Sequence, residues 1–344
     1  MLKAASSECP DCAGEPAGLG RRDFLRVLGA SAAALAVGAV LPTAGPLSPL
    51  AAARAARLKK QAEAESLVFE LYKSMGDDQR QKLVLPWNTA ARLGTHNAPV
   101  GKSVIGEQYD KKQVEVLHKV FKSLCNGEEG YERLSRKKSF DASGDFESLG
   151  AVIYGEPTEG QKFSLVFAGH HITLRCDGDS EESTAFGGPL YYGHSPNGFS
   201  EKNVFHYQTK MVGEVFGSLN AEQTKAGVLP GKWQDGVASV KLPAKDAKLP
   251  GVAYTALSKD QQELTRKVMK ELVSPYRKED GDEVMEIVKA NGGFEKLSLA
   301  FYQEGATTAK EPWTFWRLEG PGFVWSFRAL PHVHTFVNIS SKPA

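Results

Sequence analysis

Histidines are the residues of this chain whose type and spacing could do chemistry. Of its eight histidines, four fall in two tight pairs, His170 with His171 and His332 with His334. Histidine is both a common metal ligand and a proton carrier near neutral pH. Because His332 and His334 are two residues apart, both rings would lie on one face of a strand, which suits chelation of one ion.

The first pair follows an apolar run and one glycine, Gly169. In a regular strand His170 and His171 would point to opposite faces, so only one would serve a given site unless Gly169 introduces a bulge. Two imidazoles from one strand and one from another would form a three-histidine site with an open position, as in catalytic zinc centres. We therefore predict His171, His332 and His334 as ligands of a transition metal, for which zinc, copper and iron all qualify.

This prediction has alternatives and a geometric test. Each pair could instead be hydrogen-bonded within the structure, bind a substrate directly, or lie exposed at the surface. A single ion with ligand distances of about 2 Å cannot join imidazoles that lie more than about 10 Å apart. The two pairs must therefore be neighbours in the fold if they share a metal.

Proton transfer at such a site needs a further group, and two residues are candidates. His170 is one of them, because it is adjacent to a predicted ligand. Glu214 is the other, since it is flanked by apolar residues and would face inward if Val215 faced outward. The alternative places Glu214 on the wet side of an amphipathic helix.

A loop between the two pairs, residues 186–196, is rich in glycine and aromatic residues. Glycine lets a backbone approach a ligand closely, and loops commonly carry binding residues. We therefore predict this loop as a pocket wall, with Gly188, Tyr192 and His194 as pocket residues. His194 could supply another ligand or a proton, or it could simply be exposed.

Two arginines, Arg175 and Arg328, end or interrupt apolar strands. They could orient an anionic substrate, since guanidinium groups bind carboxylate and phosphate, or they could be ordinary strand-end residues. The sequence does not choose between these roles.

The elements that must position these residues include several helices. Apolar residues at helical spacing predict two short helices within 57–84 and further helices over 110–125, 259–273 and 282–289. Capping-box spacing marks helix starts at Asn220 and Ser258, each followed three residues later by Gln. A related motif begins at Gly76, where Asp77 could provide the cap instead.

Strand signals are concentrated in two regions, Leu149–Leu174 and Leu297–Ile339. The clearest is an antiparallel hairpin in which Trp313–Leu318 and Phe323–Leu330 flank a Glu-Gly-Pro-Gly turn. Interleaved helices and antiparallel strand pairs predict an α+β fold. They argue against a doubly wound dinucleotide fold, and the chain has no GxGxxG, P-loop or GxSxG motif that would favour one.

The N-terminal segment resembles a twin-arginine signal peptide. Gly20–Arg26 contains paired arginines, a polar residue, Phe-Leu and a further base. The apolar run Val27–Leu41 that follows is shorter than the roughly 20 residues that span a bilayer, and small residues suited to cleavage come next. We predict a removable signal over 1–56, export by the twin-arginine machinery to the periplasm or beyond, and a single α+β domain without a membrane span over 57–344.

Composition narrows the possible partners. A net charge of +1 on 344 residues gives no electrostatic footprint for nucleic acid. With 41% apolar residues, the chain after the leader can bury a substantial core. The twin-arginine route carries folded proteins, often ones that acquire a metal or cofactor before export, so it favours a cofactor. Cys125 and Cys176 could form one disulfide in an oxidising compartment, and the sequence leaves their pairing open.

Several motifs together resemble the domain-of-unknown-function family 3500. They are Gly169-His170-His171, Gly188-Pro189, the helix from Glu214 to Ala226, and Trp325-Ser326-Phe327 leading to His332-Val333-His334. The resemblance implies one exported domain in which the Gly-His-His motif and the late histidine pair are functional marks, and it brings no established reaction. His194 lies in a loop that departs from the expected Gly-x-x-Pro, so any role for it would be particular to this protein.

These features predict an exported metal-dependent enzyme, a hydrolase or an oxidoreductase, that acts on a small molecule. The alternative is a periplasmic binding or metal-handling protein in which the same residues hold a ligand without turnover. A third possibility is a structural envelope protein, which would place the histidine pairs far apart. An open coordination position beside a proton-transfer group favours the enzyme, and a closed set of ligands favours the binder.

Overall fold

The computed structural model describes residues 63–342, except 179, 182–183, 232–234, 245 and 304–307. The predicted signal peptide over 1–56 lies outside the described residues. The helices are α1 (63–74), α2 (Asp77–Leu83), α3 (Ile105–Gln108), α4 (Lys111–Ser123), α5 (Gly127–Leu134), α6 (His206–Ser218), α7 (Ala221–Gly227), α8 (Val237–Val240), α9 (Lys259–Val273) and α10 (Lys278–Ala290). The strands are β1 (Val84–Leu85), β2 (Gly150–Gly155), β3 (Phe163–Gly169), β4 (Ile172–Cys176), β5 (Leu190–His194), β6 (Val228–Leu229), β7 (Val252–Ala253), β8 (Ser298–Tyr302), β9 (Phe315–Gly320), β10 (Phe323–Arg328) and β11 (Val333–Ile339).

All of these strands belong to one mixed sheet. Its order is β1-β2-β3-β4-β5-β11-β10-β9-β8-β6, and β7 pairs with β8 beside this path. Within the described part of the chain, the parallel pairs are β1 with β2 and β6 with β8, and the other pairs are antiparallel. The predicted α+β class is therefore confirmed, and so is the hairpin now formed by β9 and β10.

The order of elements repeats along the chain. A first half, residues 63–194, runs from α1, α2 and β1 through α4 and α5 to the consecutive strands β2–β5. A second half, residues 206–339, runs from α6, α7 and β6 through α9 and α10 to β8–β11. The sheet is arranged in the same way, because β5 and β11 pair at its centre while β1 and β6 lie at its ends. The fold therefore consists of two similar halves that meet at β5 and β11.

Glutamine pairs at helix starts recur in both halves. In the first half the amides of Gln79 and Gln113 exchange hydrogen bonds of 2.8 and 3.1 Å. In the second half those of Gln223 and Gln261 exchange hydrogen bonds of 3.0 and 2.8 Å. Each pair joins two helix N-termini within its half, so the short sequence motif serves helix capping and helix pairing together.

The predicted capping boxes at Asn220 and Ser258 are confirmed, and Asp110 forms another with Gln113. The expectation for Asp77 was wrong. Gly76 is the N-cap of α2 and makes no side-chain cap, while Asp77 is the first helical residue.

The longer helices pack on one face of the sheet, and the segments that follow β1 and β6, which include the short helix α8, lie on the other. The helical face contains the main hydrophobic core, to which Phe121 of α4, Met269 of α9 and Trp316 of β9 belong. On the other face, Arg175 of β4 donates to carbonyl groups of the segment that follows β1, and Asn338 of β11 donates to Val240 in the segment that follows β6. His334 shares the face of Asn338, since the two are four residues apart on one strand.

Two further expectations concern cysteines and membranes. Cys125 and Cys176 are both buried and are not joined in a disulfide. Burial raises the pKa of the Cys176 thiol to about 12, so it is protonated at neutral pH. Among the described residues, we find no helix with both the length and the apolar character to cross a membrane.

Candidate metal centre

His170 and His171 form a tight turn and not a continuous strand. β3 and β4 are antiparallel, and Gly169 pairs with Ile172, so the two histidines are the whole connection. His171 adopts a left-handed backbone with φ of 57°, which costs a non-glycine residue roughly 1–2 kcal/mol. The expectation of opposite strand faces was therefore wrong, because the turn takes both residues out of the alternating pattern.

The second half contains the same turn without histidines. Gly320 pairs with Phe323 between β9 and β10, and Gly322 occupies the left-handed position with φ of 73°. Glycine adopts this conformation without a steric penalty. His171 thus stands where the other half has glycine, and a strained residue at such a position is typical of functional sites.

His332 and His334 lie at the start of β11. His332 directly precedes the strand, and His334 pairs with Arg328 of β10 on one side and Gly193 of β5 on the other. β11 is a central strand of the sheet, with β10 and β5 as its neighbours. Gly193 fits beneath the rings, since a Cβ there would lie 3.1 Å from His334 Cδ2 and 3.2 Å from His171 Cγ.

The Nε2 atoms of the three predicted ligands converge. His332 Nε2 lies 3.1 Å from His171 Nε2 and 2.9 Å from His334 Nε2. One ligand atom from each of His171, His332 and His334 lies within 4.8 Å of the others. The two pairs therefore meet the distance requirement for a shared ion, although 161 residues separate His171 from His332. All three rings are buried, with exposed fractions of 0%, 5% and 2%.

Two carboxylates hold the opposite ring nitrogens. Asp141 Oδ2 accepts a hydrogen bond from His171 Nδ1 at 2.6 Å, and Asp235 Oδ2 accepts one from His334 Nδ1 at 2.8 Å. Ser195 stabilises Asp141 by donating its backbone amide and its hydroxyl, at 2.9 and 2.7 Å. A carboxylate on Nδ1 places the proton there and leaves Nε2 as the acceptor, the usual arrangement for a metal-bound histidine.

The ring protonation follows from these partners. Burial lowers the pKa of His171 to about 3, despite the hydrogen bond with Asp141, and lowers that of His332 to about 3 with the help of nearby Arg328. Burial also lowers the pKa of His334 well below its ordinary value. For Asp141, burial would raise the pKa, but hydrogen bonds from His171 and Ser195 lower it overall. The three imidazoles are therefore neutral and Asp141 is ionised at neutral pH.

The contacts of Arg328 indicate which ring nitrogens of His332 and His334 carry no proton. Its Nη2 lies 3.1 Å from His332 Nε2 and 2.9 Å from His334 Nε2. A guanidinium has donors only, so both of these nitrogens accept and carry lone pairs. His171 Nε2 also carries one, because its proton is on Nδ1. No hydrogen bond can then join the three nitrogens to one another, and a cation is the group that would make their approach favourable.

The spacing also suits a metal. Tetrahedral coordination at about 2.0–2.1 Å places ligand nitrogens about 3.3 Å apart, close to the 2.9 and 3.1 Å observed. Neutral imidazoles are accepted by zinc, copper and iron alike. The buried group of His171, His332 and His334 could therefore hold a metal ion.

His170 lies beside this group. Its ring is 3.9 Å from that of His171 between centroids, and its carbonyl accepts from Arg136 at 2.9 Å. Burial lowers the pKa of His170, with Asp141 opposing and Arg136 adding to the effect. Asp141, His170 and His171 form a second group whose ligand atoms lie within 4.8 Å of one another. His170 is thus half-buried, neutral and next to a candidate ligand.

Glu214 lies elsewhere. The condition for its inward orientation is not met, because Val215 is buried and Glu214 is exposed on α6. Glu214 belongs to neither group of candidate ligands. The amphipathic helix was the correct interpretation of this segment.

The predicted pocket residues are spread over different environments. Tyr192 is fully buried in the core, where its hydroxyl donates to Leu272 and Gln208 at 2.6 and 3.0 Å. Gly188 packs against Arg175, whose Nε would lie 3.1 Å from a Cβ at that position. His194 is half-buried and accepts the Val204 amide on Nδ1 at 3.1 Å. The end of the loop reaches the centre through Ser195.

The sequence interpretation missed the two carboxylates that hold the histidines. Asp141 lies in a 3-10 turn between α5 and β2, and Asp235 lies between β6 and α8. Neither has a characteristic spacing from any histidine. Gly193 was also missed, although its place next to His194 in a glycine-rich loop was visible.

Comparison with known proteins gives a family and no more. A family model described as "Protein of unknown function (DUF3500)" matches residues 58–340. The chain therefore belongs to this family, as its motifs indicated. No curated protein and no solved structure matches the chain.

Proposed function

We propose that this member of the DUF3500 family is an exported metal-dependent enzyme whose ion is held by His171, His332 and His334. The observation that carries the proposal is the convergence of three Nε2 lone pairs, with carboxylates on the Nδ1 atoms of His171 and His334. Lone pairs brought together in this way repel unless a cation lies between them. Such carboxylate–histidine pairs orient metal ligands and raise their basicity.

The three-histidine ligand set accepts zinc, copper or iron, and with zinc a hydrolytic reaction is the chemistry that follows. A three-histidine zinc site polarises a substrate oxygen or lowers the pKa of bound water to about 7. Copper or iron would bind the same ligands and would direct the site to oxidation instead. The metal content of the purified protein decides between hydrolase and oxidoreductase.

His170 is the proposed proton carrier. It lies against a ligand ring, is half-buried, and is neutral at neutral pH because burial lowers its pKa. A neutral imidazole accepts a proton from a reacting group and returns it in a later step. Ser143 and Arg136 fix its backbone by hydrogen bonds of 3.0 and 2.9 Å.

Export is supported by the leader sequence. The twin-arginine pattern at Gly20–Arg26 and the short apolar run after it favour the periplasm or the exterior as the place of action. The proposed partners are the export machinery and a small-molecule substrate. The near-zero net charge gives no support for a nucleic-acid partner.

A non-catalytic metal or ligand carrier is the second candidate. It is favoured by the burial of the three rings and by Arg328, which lies over two of their nitrogens. A metal with a complete set of protein ligands would not turn over substrate. An exchangeable coordination position, seen as a change in the spectrum of a cobalt-substituted protein with added small ligands, would favour the enzyme.

Elemental analysis of the processed protein, purified without chelator, tests the proposal. We expect near-stoichiometric zinc, copper or iron in the wild type and its loss in a His332→Ala/His334→Ala double variant. His171→Asn is the more conservative test, because asparagine tolerates the left-handed backbone of the turn. Both variants should be checked for folding by circular dichroism.

His206→Asn is the matched control, since its ring bonds the Gly198 carbonyl and His206 belongs to neither group of candidate ligands. It should retain the metal. A wild type that stays metal-free after reconstitution with each of the three ions, or a His171→Asn variant that binds metal as the wild type does, would contradict the proposal.

A further inference from the structure

Arg328 points two donors at the place where the proposed metal would bind. Its Nη2 donates to the Nε2 atoms of both His332 and His334. A metal takes those lone pairs for itself, so the two N–H groups lose their acceptors when the ion binds. The rest of the guanidinium is fixed independently, because Nη1 pairs with Asp235 at 2.5 Å and Nε donates to the His332 carbonyl at 3.2 Å.

The Arg328 guanidinium is held in place, so its Nη2 group would lack an acceptor in the metal-loaded protein. Arg328 is only 8% exposed and is held from two sides, so it cannot turn its Nη2 group into water without breaking both contacts. A buried donor without an acceptor is unfavourable. An oxygen atom bound next to the metal would accept these hydrogen bonds, and a negatively charged one would accept them best.

The charges around the histidines also favour a bound anion. Four charged side chains have described contacts at this centre. Arg328, Asp141 and Asp235 contact histidine rings, and Arg136 donates to the His170 carbonyl. Burial lowers the pKa of Arg136 to about 10, which leaves it positive at neutral pH. These four charges cancel one another, so a divalent ion on three neutral imidazoles would add two positive charges that none of these described contacts balances. An anion restores neutrality in a buried place where uncompensated charge is costly.

We infer that the substrate of this centre carries an oxyanion, a carboxylate or a phosphate, and that Arg328 binds it beside the metal. The inference rests on the proposed function, since it needs the ion at the three histidines. Arg328 is then a substrate-binding residue, because the two N–H groups of its Nη2 would donate to the oxygens of the anion.

The test is anion binding by the metal-loaded full chain. Metal content is measured first, and cobalt-substituted protein is then titrated with inorganic phosphate and with acetate at constant ionic strength, following the visible spectrum. We expect saturable binding in the wild type and a dissociation constant about 10–100-fold higher in Arg328→Gln, the usual cost of losing a charged hydrogen-bond pair. Arg328→Lys should be intermediate, because a positive charge remains while the planar group held by Asp235 and the His332 carbonyl is lost. The better-bound probe identifies the class, phosphate or carboxylate.

Arg266→Gln is the control for net charge, because Arg266 is a partly exposed residue of α9, and it should bind anions as the wild type does. Full metal content with no anion binding in the wild type, or with Arg328→Gln within twofold of it, would overturn the inference and leave the metal proposal standing. Loss of metal from both Arg328 variants would also overturn it, because Arg328 would then support the metal and not the anion. A wild type that takes up no metal would refute both proposals.

Discussion

Asp141→Asn isolates the charge that orients a metal ligand. Asp141 Oδ2 accepts from His171 Nδ1 and from the Ser195 amide, and Oδ1 accepts from the Ser195 hydroxyl. An asparagine of the same shape keeps its oxygen on the first two donors. Its amide group can donate to the serine hydroxyl, which is also an acceptor. The substitution therefore removes the negative charge and changes little else.

The size of the effect follows from the contact. Replacing a residue that holds a metal-bound histidine typically lowers metal affinity 10- to 100-fold, or about 1.4–2.7 kcal/mol. The contact between Asp141 and His171 is short, at 2.6 Å, and the Asp141 side chain is only 10% exposed. We expect the upper part of the range, because solvent screens this interaction little. The zinc dissociation constant of Asp141→Asn should rise about 100-fold with unchanged stoichiometry.

Competition with a chromophoric chelator at pH 7 measures this constant. Ser195→Ala is the matched control, because it deletes one hydroxyl hydrogen bond to Asp141 and keeps the backbone amide. It should weaken zinc binding less than Asp141→Asn does, because the carboxylate keeps its charge and its hydrogen bonds with His171 and the Ser195 amide. A folded Asp141→Asn protein whose affinity stays within threefold of the wild type would refute the idea that Asp141 sets the tautomer of His171.

Three further predictions concern packing, pH and thiols. Gly193→Ala places a Cβ 2.3 Å from the Val333 carbonyl oxygen, so the free energy of unfolding in urea should fall by about 1–3 kcal/mol. Gly213→Ala is the control, because there is open space around its Cβ, and it should be neutral or stabilising. Equal stability of the two variants would contradict this. Burial lowers the pKa of His171 and of His332 to about 3, so the folded metal-free protein binds fewer protons than the unfolded chain between about pH 3 and 6.5. Its unfolding free energy should therefore rise with pH in that window by up to about 1.4 kcal/mol per unit for each histidine and level off above it, and a flat profile from pH 4.5 to 6.5 would be inconsistent with neutral buried rings. Burial raises the pKa of Cys176 to about 12, and Cys125 is buried as well. A thiol reagent should therefore label these two cysteines only as fast as the protein unfolds. Rapid labelling of the folded protein would contradict their buried positions.

The grouping of the candidate ligands could be predicted in part from the sequence, because strand geometry brings two of the three histidines together. His332 and His334 are two residues apart, and the period of a strand places such residues on one face. The α+β class followed similarly from alternating and helical periodicities. His171 reaches the other two histidines from a hairpin that is distant in sequence. The sequence did not predict this contact; it only showed that the two pairs must be neighbours if they share a metal.

The turn at His170 and His171 shows where local reasoning fails. Both halves of the fold contain the same two-residue connection, with Gly322 and His171 in the left-handed position. The Pro-Gly version was recognisable, because proline and glycine favour turns. The His-His version was not, since neither residue has a turn preference and the apolar residues on both sides indicate a continuous strand. Asp141 and Asp235 were unpredictable for a related reason, because long-range contacts alone give them their roles.

The two-halves architecture explains where the candidate ligands of this centre come from. His171 and Asp141 belong to the first half, while His332, His334, Asp235 and Arg328 belong to the second. The rings of His171 and His334 meet at Gly193, in the β5–β11 pair that joins the halves. In the second half the position that corresponds to His171 is occupied by Gly322, which has no side chain. Of the two equivalent turns, the one in the first half therefore provides a candidate ligand. A metal that binds both halves in the folded state, and not in the unfolded chain, stabilises their association by its binding free energy. The proposed ion would therefore have a structural effect on the junction, besides any reaction that it catalysed.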